Sequence, residues 1–138
     1  MPTVFITGAN RGLGLEFCRQ YCEAGWKVLA TCRTPQTTHE LNSLADRYPS
    51  LSIHALEVTD FSAIDQLADA LAGEAIDVLL CNAGIFGDPD GIRFGALDDD
   101  RWLETFVINP ESPVKLAAAF LAHVQRIDRG LGDAVVSP

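Results

Sequence analysis

Short runs of apolar and β-branched residues alternate along the whole chain with longer segments whose apolar residues recur every three or four positions. Runs of the first kind read as buried strands, and segments of the second as helices that cover them. The predicted strands are Thr3–Thr7, Lys27–Thr31, Ser52–Glu57, Ile76–Cys81 and Ala134–Ser137. The predicted helices are Gly12–Glu23, Thr38–Arg47, Phe61–Leu71 and one long helix from Asp98 to about Gln125. Gly12–Glu23 carries Leu15, Cys18 and Cys22 on one side and stops at Ala24-Gly25, a helix-ending glycine. Asp60 or Ser62 can cap the helix that follows. Strict alternation of strand and helix predicts βαβ units in a parallel sheet, an α/β architecture. No linker, repeat or low-complexity stretch interrupts it, so residues 1–138 are expected to form one domain.

Composition narrows the function. Ten Lys+Arg stand against nineteen Asp+Glu, a formal charge of −9, with no basic run. Such a surface offers no footprint for nucleic acid or an anionic membrane, and small-molecule chemistry is the better expectation. No stretch is long and apolar enough for a transmembrane helix, and the N-terminus lacks the charged region and cleavage site of a signal peptide. The expected location is therefore cytoplasmic. Cys18, Cys22, Cys32 and Cys81 form no C-x-x-C pair and have no clustered histidines, so no metal site is expected. Cys18 and Cys22 read as packing or surface thiols.

The strongest local signal follows the first strand. Val4-Phe5-Ile6-Thr7 runs into Gly8-Ala9-Asn10-Arg11-Gly12-Leu13-Gly14, which opens a helix. In that context Gly8 can make a tight turn, Gly12 can let backbone approach a pyrophosphate, and Gly14 can allow close packing of helix on strand. The phosphates would sit on N–H groups such as that of Leu13, at the positive end of the helix.

Three motifs in order, T-G-A-N-R-G-L-G at Thr7–Gly14, C-N-A-G at Cys81–Gly84 and Asn109 within the long helix, resemble the short-chain dehydrogenase/reductase family. The likeness runs over the whole chain and is closest in wording to the branch of C-factor-like proteins and small carbonyl reductases. It implies a Rossmann-like doubly wound parallel β-sheet, here reaching the fifth strand, and a nicotinamide dinucleotide cofactor. Gly8, Asn10, Arg11, Gly12, Leu13 and Gly14 are then cofactor-binding positions.

Charge indicates which dinucleotide. An acid about 20 residues past the glycines selects the free ribose hydroxyl, whereas an arginine accepts a 2′-phosphate. This chain has Thr31-Cys32-Arg33 there, and Arg11 adds a second cation, so NADP(H) is the expected cofactor. Glu57-Val58-Thr59-Asp60 resembles the family's adenine-contacting D-x-x-D with Glu in first place, which puts Glu57 and Val58 at the adenine. Asn82, Ala83 and Gly84 are implied to border the nicotinamide-side ribose, with Cys81 where the family usually has Asn.

Trp102, Phe106, Asn109, Pro113, Leu116 and Phe120 fall at helical steps, placing Asn109 in an apolar stripe. Pro113 has no N–H to return to the Asn109 carbonyl, which is expected to turn to another group. By the resemblance that carbonyl holds a water of the proton relay. Pro110, a departure from the family's pattern, is expected to distort the helix.

The family reaction is hydride transfer between nicotinamide and a carbonyl or alcohol carbon, with a Y-x-x-x-K pair supplying the acid/base group. The tyrosines here are Tyr21 and Tyr48 and the lysines Lys27 and Lys115, at no such spacing. Ser137 falls near the family's substrate-orienting serine. The expectation is an NADP-dependent oxidoreductase of a small carbonyl or alcohol substrate whose 138 residues alone have little or no activity. The alternative is a non-catalytic NADP-binding or signalling module. An apolar last strand and an exposed stripe on the long helix lead one to expect that a second copy covers them, as a homo-oligomer.

Overall fold

Successive residues of a strand point to opposite faces, and here both faces are apolar. In the computed structural model, which describes residues 1–84, 99–126 and the backbone of 133–136, β1 (Thr3–Ile6) places Val4 and Ile6 in one core and Phe5 in another. The pattern repeats in β2 (Lys27–Cys32), where Val28 and Ala30 join the first core and Leu29 the second. With β3 (Leu51–Ala55), β4 (Val78–Cys81) and β5 (Asp133–Val136) these strands form one parallel sheet in the order β3-β2-β1-β4-β5. This is the doubly wound Rossmann order that the sequence led one to expect.

Two helical layers complete the cores. On one face α1 (Gly12–Glu23) and α2 (His39–Arg47) contribute Cys18, Cys22, Leu41 and Leu44. The first of these helices ends in a Schellman arrangement: the N–H of Gly25, at φ +83, donates to the Cys22 carbonyl and that of Trp26 to the Tyr21 carbonyl. The Trp26 and Tyr21 rings, 4.9 Å apart, supply the apolar contact that accompanies such a cap. On the other face α3 (Phe61–Ala70), capped by an Asp60 carboxylate that accepts from the Ala63 N–H at 3.0 Å, contributes Ile64 and Ala68.

The long helix expected from Asp98 to Gln125 is instead broken into pieces. They are α4 (Asp99–Phe106), a π turn (Val107–Glu111), α5 (Ser112–Ala119) and, after a break at Phe120, α6 (Leu121–Gln125). Pro110 and Pro113 each remove an N–H from the ladder. The Ser112 N–H therefore reaches the Val107 carbonyl, one residue further back than in an α-helix, and the Ser112 hydroxyl donates to the Ile108 carbonyl. The extra residue re-phases the apolar stripe. Ile108, Leu116 and Phe120 enter the second core, with Phe120 against Phe5 at 4.6 Å between ring centroids, whereas Phe106, expected in the buried stripe, is 55% exposed. Among the described residues no helix is long and apolar enough to cross a membrane.

All four cysteines are free and buried. Burial pushes the Cys18 thiol up to about 12 and those of Cys22 and Cys81 up to about 11. Unfolded, these thiols ionise near their ordinary value of about 9. The stability their neutral forms contribute is thus full below pH 9 and is lost as the pH rises from there through 11 and 12. Two outcomes are expected: denaturant midpoints that fall steadily above pH 9, and no labelling of the native chain at pH 8 by a soluble thiol reagent that labels all four cysteines in about 6 M guanidinium. Rapid labelling of the native chain would contradict this core.

Candidate functional site

The carboxyl ends of β1, β2 and β4 meet at one edge of the sheet, and Thr7 ties two of them together. Its N–H donates to the Leu80 carbonyl at 3.1 Å, while its Oγ1 accepts from the N–H groups of Asn82 and Ala83, both at 3.1 Å. On the other side the Ala9 N–H donates to the Thr31 carbonyl at 3.0 Å, and the Thr31 hydroxyl donates to the Ile6 carbonyl at 3.2 Å. The glycine turn is therefore fastened to both strands that flank β1.

Between these ties the chain reverses at Gly8, whose φ of +63 suits glycine. The Gly8 carbonyl accepts from the Asn82 side-chain amide at 3.2 Å. Against the same carbonyl lies Gly14, in the first turn of α1: a Cβ there would stand 2.0 Å from the Gly8 oxygen and 2.7 Å from Asn82 Nδ2. Absence of a side chain at Gly14 is what lets the helix start so close to the sheet. Gly12 differs, since at φ +56 a Cβ would meet nothing within 4 Å. This open position, beside exposed Arg11 and Leu13, lies where the first N–H groups of α1 lack partners within the helix. The strand end, the open glycine and the helix dipole together suit an anionic phosphate group.

A second set of residues lies past the ends of β2 and β3, joined where the Leu56 N–H donates to the Cys32 carbonyl at 2.9 Å. Arg33 Nε stands 3.9 Å from Glu57 Oε2, with the arginine side chain 70% exposed and the glutamate 40%. The other carboxylate oxygen of Glu57 accepts from the Thr59 hydroxyl at 3.0 Å and the Thr59 N–H at 3.4 Å. Val58, next to it, is buried. A cation, a carboxylate and a buried apolar residue thus lie on the segments that follow neighbouring strands.

The third set is at β4. Asn82, Ala83 and half-buried Asn109 come together there, since a Cβ on Gly84 would lie 3.2 Å from Asn109 Oδ1. The π turn carries Asn109 to this end of the sheet. Cys81 instead points into the second core, where burial keeps its thiol neutral. Among the described residues no group of three His, Cys, Asp or Glu is placed to hold a metal ion. Ser137 lies outside the described residues.

The structure therefore brings Gly8, Asn10, Arg11, Gly12, Leu13 and Gly14 together with Asn82, Ala83 and Gly84 around one turn, and sets Arg33, Glu57 and Val58 beside it. Sequence reasoning missed Thr7 and Thr31, the two threonines that fasten the turn, because threonine at a strand end also fits plain β propensity. It likewise missed the Asn82 amide on the Gly8 carbonyl. Only its place in the C-N-A-G motif pointed to it.

With this geometry in view, the family model for short chain dehydrogenase matches residues 2–136. Among curated proteins, the chain is 36% identical to (+)-neomenthol dehydrogenase of Arabidopsis thaliana, over 89% of this chain and 49% of that protein. It is 35% identical to salutaridine reductase of Papaver somniferum, over 69% of this chain and 32% of the relative. The chain thus spans about a third to about a half of these relatives. Among solved structures, the NADPH-bound carbonyl reductase from chicken fatty liver superposes with a TM-score of 0.85 at 30% identity, covering 97% of this chain and 57% of that one. A carbonyl reductase from Pseudomonas aeruginosa PAO1 in complex with NADP gives 0.84 at 30% identity, covering 91% and 57%.

Two substitutions test the turn. Thr7→Val keeps the shape but leaves the Asn82 and Ala83 N–H groups without their acceptor, and a loss of about 1–3 kcal/mol is expected in denaturant unfolding. Gly14→Ala forces α1 away from Gly8 and should cost more than Thr7→Val, whereas Gly12→Ala, with open space around it, should cost only the strain of its positive φ, about 1–2 kcal/mol. Equal losses for Gly12→Ala and Gly14→Ala would contradict the packing described.

Proposed function

Since the chain belongs to the short-chain dehydrogenase/reductase family, we propose that residues 1–138 are the dinucleotide-binding part of an NADP(H)-dependent oxidoreductase acting on a small carbonyl or alcohol substrate. The observation that carries this reading is the glycine turn itself, clamped between β1 and β4 at Gly8 and Gly14 yet open at Gly12, where phosphate needs to approach backbone. Solved carbonyl reductases of the same fold hold NADP or NADPH, which supports the choice of dinucleotide.

Each group has a part that follows from its chemistry. The N–H groups opening α1, that of Leu13 among them, with the positive end of its dipole, would hold the pyrophosphate. Arg33 and Arg11 would face the 2′-phosphate, as exposed guanidinium groups that bind oxyanions in a planar fork. Val58 would flank the adenine, with Glu57 beside it. Asn82, Ala83 and Gly84 would border the nicotinamide-side ribose, and Asn109 would close that end and hold a water of the proton relay. Ser137 would orient the substrate carbonyl. When bound, the cofactor supplies the hydride.

The acid/base group is a separate matter. None of the four residues Tyr21, Tyr48, Lys27 and Lys115 forms a Y-x-x-x-K pair. A polypeptide of these residues would bind the dinucleotide and leave the carbonyl oxygen without a proton donor.

The experiment is a titration of the 138-residue polypeptide with NADPH and with NADH, followed by nicotinamide fluorescence. NADPH is expected to bind at least about tenfold tighter than NADH, and Arg33→Ala to remove most of that difference, on the scale of one charge-assisted hydrogen bond. No NADPH-dependent turnover of aldehydes or ketones is expected from the polypeptide. Binding of neither dinucleotide would overturn the proposed cofactor site, and clear turnover would overturn the assignment of the acid/base group.

A further inference from the structure

The ion pair beside the glycine turn has an unusual composition for a site that receives an anion, because a carboxylate stands next to the arginine. Glu57 Oε2 is 3.9 Å from Arg33 Nε, and Glu57 Oε1 is held in place by the hydroxyl and the N–H of Thr59. One carboxylate oxygen is thus held by Thr59, while the other stands in a long ion pair with the guanidinium. The short strand-end tie from Leu56 to Cys32 keeps the two segments in register.

The geometry points to Glu57 as a specificity-determining residue that tempers the preference for a 2′-phosphorylated dinucleotide. This rests on the cofactor reading given above and deepens it. An oxyanion about 3 Å from Arg33 Nε is at most about 7 Å from Glu57 Oε2, given the 3.9 Å separation, and one on a terminal guanidinium nitrogen, roughly 2 Å further on, is at most about 9 Å away. At neutral pH a phosphate monoester carries close to two negative charges, so it meets like charge at that range while it gains the arginine. Glu57 also competes for the guanidinium, which a phosphate must share or take. A dinucleotide with a free 2′-hydroxyl carries neither cost. The carboxylate therefore acts on the ratio of the two affinities rather than on dinucleotide binding in general.

The opposite effect, in which Glu57 orients Arg33 for the phosphate, demands a short, well-aligned and buried contact. A 3.9 Å separation from Nε between a 70% and a 40% exposed side chain does not supply one. Thr59, by contrast, holds the carboxylate from the other side through its hydroxyl at 3.0 Å, which keeps the negative charge beside Arg33.

The test is a set of binding titrations on the full 138-residue chain with NADPH and NADH, for the parent, Glu57→Gln, Arg33→Ala and the double variant. Glutamine keeps the length and polarity of the side chain and can still accept from Thr59, so general disruption of the adenine end is avoided. Glu57→Gln is expected to tighten NADPH roughly three- to tenfold, on the scale of like charges about 7 Å apart in water. NADH should not gain in the same way, since any change at the adenine is common to both dinucleotides and cancels in their ratio, and the gain for NADPH should shrink as salt is raised, as exposed charges are screened. Added to Arg33→Ala, the same change should recover part of the lost NADPH affinity. Weaker NADPH binding in Glu57→Gln would make Glu57 an orienting group and overturn the inference, as would equal changes for both dinucleotides or a salt-independent effect. Binding of neither dinucleotide by the parent would overturn this inference together with the cofactor reading, whereas normal parental binding with an unchanged ratio in Glu57→Gln would overturn this inference alone.

Discussion

The carbonyl of Gly8 is the fixed point of the molecule. It sits between the side-chain amide of Asn82 and the bare Cα of Gly14, and neither contact tolerates much change: one is a hydrogen bond across the sheet, the other a steric limit that any Cβ would violate. Because Gly8 follows β1 directly, this one peptide sets how α1 lies on the sheet. Because Asn82 follows β4, it also sets where the second strand end comes out. The spacing between the glycine turn and the Asn82–Gly84 segment is a consequence of that contact, and so is the opening at Gly12.

Around that point the site divides by chemistry. One side is backbone: N–H groups and a helix terminus, which recognise phosphate by geometry and dipole. The other is side chain, an arginine and a glutamate past neighbouring strand ends, with a buried valine next in sequence to the glutamate. A chain of formal charge −9 has no general attraction for a polyanion. Local placement of Arg11 and Arg33 has to do what net charge cannot, and the presence of Glu57 shows that even this local field is mixed.

Much of this was legible in residue order. The five strands and the first three helices lie within a few residues of where period-two and period-three-to-four patterns put them, α1 with the same limits, because apolar periodicity reports burial directly. The helix after residue 98 was legible only in part. Pro110 and Pro113 announced a distortion, but the kind of distortion depends on which carbonyl the Ser112 N–H finds, and that is a three-dimensional choice. The glycines could be read because their roles are steric and local. Thr7 and Thr31 could not, nor could the bond from Asn82 to Gly8, because each makes its decisive contact far away in the chain, and a hydroxyl or amide carries no mark of its distant partner. The same holds for Arg33 and Glu57, which were read one at a time and turn out to face each other.

The central place of β1 bears on how the chain acquires its shape. Val4 pairs with Val28 on one side and with Val78 on the other, so β1 is synthesised before both of the strands it pairs with. All pairings in the sheet are parallel and cross over through intervening helices, a topology of high contact order. Until β4 is synthesised, β1 has an unsatisfied edge, and Thr7 and Gly8 lack the Asn82 and Ala83 groups that later hold them. The nascent chain therefore passes through a long interval in which a strand buried at all four positions in the fold is half covered, when chaperone contact or mispairing would compete with native folding.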